Sequence, residues 1–300
     1  MATTARVFTD GGIETDLIFL RGLDLPAFAA FPLLDDEAGR AALADYYTSF
    51  LRLAADERHT FVLATPTWRA NPDWGRQVGY DAAALDRVNA DAVRWLRELA
   101  AEVAPEVEVV LDGVLGPRAD GYVVGERMST EEARAYHAPQ IRALVAGGVD
   151  TISAMTITYP EEAVGIALAA RDAGVPVLIS FTTETDGLLP DGTTLAAAVE
   201  TVETATEAYP VGYLVNCSHP DHFTQALVGD WTSRLVGIRA NASRQSHAEL
   251  DAAEELDAGD PIELASAYRS LADRFPSLSI FGGCCGTDVR HLQAIAAALR

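Results

Sequence analysis

The sequence predicts a (β/α)8 barrel of the α/β class, formed as a single domain over residues 1–300. Three observations carry that expectation. Short β-branched or apolar runs recur along the chain, longer alanine-rich amphipathic stretches separate them, and no glycine-rich phosphate loop follows the first run. A doubly wound sheet would carry that loop, but "TDGGIETD" contains no G-x-G-x-x-G and no P-loop occurs elsewhere. No linker, repeat or low-complexity segment divides the chain.

The candidate strands, in order, are "RVFTDGG" (6–12), "HTFVLAT" (59–65), "VEVVLDG" (107–113), "VDTISAM" (149–155), "VPVLISF" (175–181), "VGYLVNC" (211–217), "RLVGIRA" (234–240) and "SLSIFGG" (277–283). Between them lie helical patterns such as "TEEARAYHAPQIRALVAGG" (130–148), with a threonine as its cap and glycines at its end. "YPEEAVGIALAARDAG" (159–174) also stops on glycine before the next strand.

Composition narrows the function. Hydrophobic residues make up 49%, enough for a large core, and the formal net charge of −22 argues against nucleic acid, whose phosphates require a basic surface. No apolar run is long enough for a signal peptide or a membrane span, which leads to the expectation of a cytoplasmic protein.

The chain has only three cysteines, and two are adjacent, in "FGGCCGT". In a barrel, functional groups gather where strands end. Cys217 ends the sixth run, while Cys284 and Cys285 follow the eighth, so all three sulfurs are expected at one mouth. Neighbouring strand residues point to opposite faces, and Gly282, Gly283 and Gly286 are expected to supply a turn that aims both thiols inward. Three cysteine sulfurs suit Zn2+ and leave a fourth position open. With three thiolates the metal centre carries about −1, a weak Lewis acid but a good holder of one more soft ligand. An incoming thiol, with a free pKa of ~8.5, would be held there as a nucleophilic thiolate.

These cysteines and their surroundings resemble the homocysteine S-methyltransferase family. The matching motifs are "DGGIETDL", "GVLGP", "VNC" and "GGCCGT", spread in the family's order over almost the whole chain. The resemblance implies a (β/α)8 barrel that moves a methyl group from an activated donor to homocysteine, with Cys217, Cys284 and Cys285 as zinc ligands and Asp10 near the substrate. It also exposes departures. Where the family has a glutamate for the substrate's amino group, in a C-E-T context, this chain reads "SAMTITYP" with Met155 aligned. The polar stretch after strand two, S-Y-Q in the family, reads Thr67-Trp68-Arg69, and apolar Val114 and Leu115 stand in "GVLGP".

Other candidates lie around the same mouth. Asn216, His219 and His222 flank Cys217, and Arg239 and Arg244 follow strand seven as possible holders of a carboxylate. Asn241 and His247 occupy the same loop. Trp68 and Trp74 are candidates to cradle a sulfonium or quaternary ammonium donor. Tyr159 and Glu161 are possible substitutes for the missing glutamate. The acidic run 249–260 reads as a solvated segment. The expected partners are a small-molecule thiol and a methyl donor, with neither nucleic acid nor membrane; the sequence sets neither the donor nor the oligomeric state. Alternatives are a methyltransferase for another small thiol, a zinc hydrolase or lyase whose open position holds water, and a non-catalytic thiol- or metal-binding barrel. Three thiolates disfavour the hydrolase, because so much donated charge weakens the metal's ability to acidify water.

Overall fold

The computed structural model describes residues 6–300. Eight parallel strands close into a barrel in chain order: β1 (Val7–Thr9), β2 (Thr60–Ala64), β3 (Val109–Leu115), β4 (Thr151–Ile157), β5 (Val177–Phe181), β6 (Gly212–Asn216), β7 (Leu235–Ala240) and β8 (Ile280–Gly283). β1 pairs with both β2 and β8, which completes the ring. Each sequence run overlaps one strand, with β3 and β4 reaching past the ends of their runs.

Helices connect most of the strands: α1 (Glu37–Glu57), α2 (Ala82–Val103), α3 (Thr130–Gly147), α4 (Pro160–Ala173), α5 (Leu195–Thr206), α6 (Pro261–Arg274) and α7 (Val289–Leu299). Between β6 and β7 the connection shrinks to the short helix Pro220–Phe223 and two 3-10 turns. α3 begins one residue earlier than the threonine cap suggested. Ser129 is the N-cap, and its hydroxyl and the Glu132 carboxylate satisfy each other's backbone amides, the reciprocal arrangement that a serine three residues before a glutamate allows. No helix among the described residues is long and apolar enough to cross a membrane.

Period-2 alternation along the strands sorts side chains into two apolar regions. Phe61, Leu63, Ile152, Ile179 and Val215 face outward into the layer shared with the helices, together with Leu144 and Ile166. Ala64, Val114, Met155, Leu178 and Leu214 face inward and fill the barrel's interior. β4 breaks this alternation: its register with β5 shifts between Ala154 and Ile157, and Thr156 takes a left-handed φ of 62°. A bulge re-aims side chains locally, which is how the adjacent residues Met155 and Thr156 both line the cavity at the barrel mouth.

Candidate active site

The three cysteines meet at the ends of β6 and β8. Their Sγ atoms all lie within 4.8 Å of one another, and those of Cys217 and Cys285 are 3.6 Å apart. The turn that aims them differs from the one expected. Gly286 has φ 79°, but Gly282 and Gly283 are needed for space: a Cβ on Gly282 would sit 2.2 Å from Thr9 Cγ2, and one on Gly283 2.0 Å from Thr287 Oγ1. Cys217 itself adopts a left-handed φ of 56°, a strained choice for a residue with a side chain. It is held there by its neighbours: its carbonyl accepts from Asn241 Nδ2 (3.0 Å) and meets His247 Nε2 at 2.7 Å, and its amide donates to the Arg239 carbonyl at 3.1 Å.

The Tyr122 hydroxyl lies 3.1 Å from Cys217 Sγ and 3.6 Å from Cys285 Sγ, while its ring stacks on His247 with centroids 3.9 Å apart. Asn216 fixes the bulge opposite. Its Oδ1 accepts from the Thr156 amide and Ser180, and its Nδ2 donates to Thr156 Oγ1 and lies 3.9 Å from Cys284 Sγ. Cys284 is the thiol pushed well down toward thiolate, by hydrogen bonding with Cys217 and Cys285 and then by the charge of Arg239. Cys217 is pushed up, because its contacts with Cys284 and Cys285 and its burial all disfavour a second negative charge.

The cluster fits zinc by this chemistry. Sulfurs on one tetrahedral zinc at ~2.3 Å are roughly 3.8 Å apart, close to the spacing of Cys217 and Cys285. Without a cation the crowding favours one thiolate, whereas a dication accommodates all three.

Asp10 and Arg239 weld the seam where the barrel closes. Arg239 Nη2 donates to Asp10 Oδ1 at 2.5 Å and to the Gly11 carbonyl at 3.3 Å, and Nε donates to the Gly283 carbonyl at 3.1 Å. Asp10 also accepts from Thr9 and Tyr46. Burial pushes the Asp10 carboxyl up, with Arg239 pulling against it. For Arg239 burial opposes the charged form, but Asp10 and Cys284 more than offset it. Above this seam opens a cavity of about 400 Å³ whose wall includes Asp10, Glu14, Trp68, Tyr122, Met155 and the cysteines.

The homocysteine S-methyltransferase model matches residues 7–299, nearly the whole barrel. The chain belongs to the homocysteine S-methyltransferase family. It is 25% identical over 181 residues to homocysteine S-methyltransferase 3 of Arabidopsis thaliana, covering 59% of this chain and 51% of the relative. With homocysteine S-methyltransferase YbgG of Bacillus subtilis it shares 24% over 208 residues, 67% of this chain and 61% of that one. The chain thus spans about half to three fifths of the length of the curated relatives it matches. In fold it is similar to the homocysteine methyltransferase MmuM of Escherichia coli. The oxidised form gives a TM-score of 0.78 at 21% identity, covering 97% of this chain and 95% of that one; the metallated form gives 0.76 at 18%, covering 99% and 96%.

Within this family's barrel, several residues proposed from the sequence have other work. Arg239 lines the cavity with Nε and Nη2 committed to the seam, which leaves Nη1 without a hydrogen-bond partner among the described residues. Arg244 is exposed and paired with Asp221 and Glu263. Thr67 is fully buried outside the cavity, its hydroxyl donating to the Val114 carbonyl at 2.6 Å. His219 is a helix cap whose Nδ1 accepts from the Asp221 amide, and burial lowers it to about 4. His222 meets the Arg244 carbonyl. Tyr159 accepts from the Met128 amide and Glu161 pairs with Arg127, so neither stands in for the missing glutamate.

The tryptophan cradle is already filled. The Arg69 guanidinium lies 3.5 Å from the Trp74 ring centroid and 4.6 Å from that of Trp68, so no donor cation enters between them. The acidic run is less solvated than its composition suggests, because Leu250, Asp251, Ala253, Glu255, Leu256 and Asp257 form part of the cavity wall. Two residues escaped the sequence reading altogether. Tyr122 sits in an undistinguished loop and reaches sulfurs 95 and 163 positions away. Glu14 lies inside "DGGIETDL", and nothing in its spacing from the cysteines marks it as part of their cavity.

Proposed function

We propose that residues 1–300 act as one barrel domain, a zinc-dependent S-methyltransferase that moves a methyl group from an activated donor to a thiol. Homocysteine is the default acceptor, and family membership supports it. The observation that carries the reading is the trio Cys217, Cys284 and Cys285 on the wall of one cavity. Bound by these sulfurs, zinc would keep an acceptor thiol deprotonated and still nucleophilic at neutral pH.

The chain's own residues account for the rest. Tyr122 and Asn216 direct polar hydrogens at the sulfurs, and Arg239 adds a fixed positive charge beside Cys284. The cavity has room for two small reactants, and holding them together converts a bimolecular encounter into a positioned one. As the new sulfur–methyl bond forms in line, the donor's bond to that methyl breaks, and its electron pair leaves with the donor. Met155 and Trp68 make one wall apolar, which helps to exclude water. That apolar wall also favours a second reading, the same transfer to a different small thiol.

Elemental analysis of purified protein tests the site, with about one zinc per chain expected. A Cys284→Ser/Cys285→Ser variant should lose both the metal and methyl transfer to thiols. Zinc absent from the wild type, or retained in full by the variant, would sink the assignment.

A further inference from the structure

Three of the carboxylates on this cavity's wall are held by partners. Asp10 is held by Arg239, Thr9 and Tyr46. Asp120 receives Arg69 Nη2 at 3.2 Å and the Tyr122 amide at 2.8 Å. Asp257 accepts from Ser243 and the Gly259 amide. Asp251 and Glu255 also line the wall but are exposed to solvent. Glu14 is half-buried, and among the described residues no side-chain hydrogen bond or ion pair reaches its carboxylate, only its own backbone amide; it lines the cavity within electrostatic range of Cys284 and Arg69.

Its position is fixed with respect to the sulfurs. The Gly12 amide donates to the Thr287 carbonyl, Thr15 Oγ1 donates to the Gly12 carbonyl, and the Gly286 amide donates back to Thr15 Oγ1. A Cβ on Gly12 would come within 2.5 Å of the Cys284 carbonyl, so this turn is pressed against the cysteine loop. Glu14 lies inside that clamp, and its backbone cannot move without disturbing the sulfurs.

We infer that Glu14 binds the cationic centre of a substrate, an ammonium or sulfonium group held beside the cysteines. This rests on the transferase reading for the identity of the reactants. A half-buried carboxylate whose one contact is its own backbone amide is better compensated when a ligand brings the countercharge. Arg69 acts on it only at a distance: no hydrogen bond or ion pair joins the two side chains, and Arg69 Nη2 is engaged by Asp120 while its face stacks on two indoles. The charge could come from the acceptor's α-ammonium or from a sulfonium donor, and the same variants distinguish these sources.

The experiment is calorimetric binding to zinc-loaded wild type, Glu14→Gln and Glu14→Asp proteins. The probes are homocysteine against 4-mercaptobutyrate, and dimethylsulfonioacetate against its uncharged-centre isostere 3-methylbutanoate. Glu14→Gln should weaken the cationic member of at least one pair by roughly tenfold to hundredfold and leave the other member unchanged, while Glu14→Asp keeps part of the preference. A loss confined to homocysteine assigns the acceptor's ammonium; one confined to dimethylsulfonioacetate assigns the donor. Equal losses within each pair, no loss at all, or a wild type that binds neither cationic probe would overturn the inference. Methyl transfer is scored separately: a wild type that discriminates through Glu14 but methylates no thiol refutes the transferase reading and leaves this one standing.

Discussion

Two arginines line the same cavity and are held in opposite ways. Arg239 sits on the seam between β7, β8 and β1, with a carboxylate at 2.5 Å and two carbonyls as acceptors. Arg69 is as well buried, but it has one acceptor, Asp120 at 3.2 Å, and its Nε and Nη1 have no hydrogen-bond partner. What holds Arg69 is stacking between Trp68 and Trp74. The consequences for charge are opposite too: Asp10 and its neighbours hold Arg239 above the usual arginine value, whereas burial lowers Arg69. The seam is a satisfied electrostatic joint, and the loop after β2 is an apolar sandwich that tolerates a cation.

The largest effect should come from the seam. Arg239→Met strands Asp10 in a buried site, and breaking a buried pair from one side costs about 3–5 kcal/mol. Arg69→Met should cost at most about 2 kcal/mol, the scale of a desolvated cation–π contact. Its partner Asp120 is 40% exposed and can be rehydrated, and two unpartnered donors leave with the arginine. Denaturant unfolding of both variants beside the wild type measures the gap. Equal costs would break the distinction between joint and sandwich.

Where the seam's residues emerge was legible in the sequence, while the Asp10–Arg239 pair and the tryptophan sandwich were not, for a physical reason. Asp10, Cys217, Arg239, Cys284 and Cys285 stand at strand ends, so counting eight strands fixes where their backbones emerge. Once the barrel closes, β1 must meet β8, and the register does the rest. Even so, counting strands says nothing of which acceptors a side chain finds. Arg239 read as free for substrate because its partners are the Asp10 carboxylate and backbone carbonyls some 44 and 228 positions away. The Trp68–Arg69–Trp74 stack and the Tyr122 hydroxyl depend on loop paths that no periodicity encodes. The left-handed φ of Cys217 likewise leaves no mark in composition, since it occurs at a non-glycine residue held by Asn241 and His247.

The smallest effect is expected at Met155, the position where the family resemblance places a glutamate. Met155 packs with Ala64, Val114, Leu178 and Leu214, and the Trp68 Nε1 that reaches it is spent on its backbone carbonyl at 3.2 Å. A carboxyl introduced there loses water and gains no fixed partner, so its pKa should rise. The barrel already shows this response twice: burial pushes Glu14 and Asp112 each up to about 7. Met155→Glu should therefore improve the preference for homocysteine over 4-mercaptobutyrate by less than about tenfold at pH 7, and by more at pH 8.5 as the new carboxyl ionises. Stability should move the other way. A folded-state pKa above the unfolded value of ~4.3 means the native state retains a proton that the unfolded chain releases, so stability falls as pH rises through that window. The deficit of Met155→Glu against the wild type should thus widen between pH 5 and pH 8 in denaturant unfolding. A flat deficit, together with a strong homocysteine preference already present at pH 6, would mean that the new carboxylate ionises normally and that the wall beside the cysteines is far more polar than the packing of Met155 indicates.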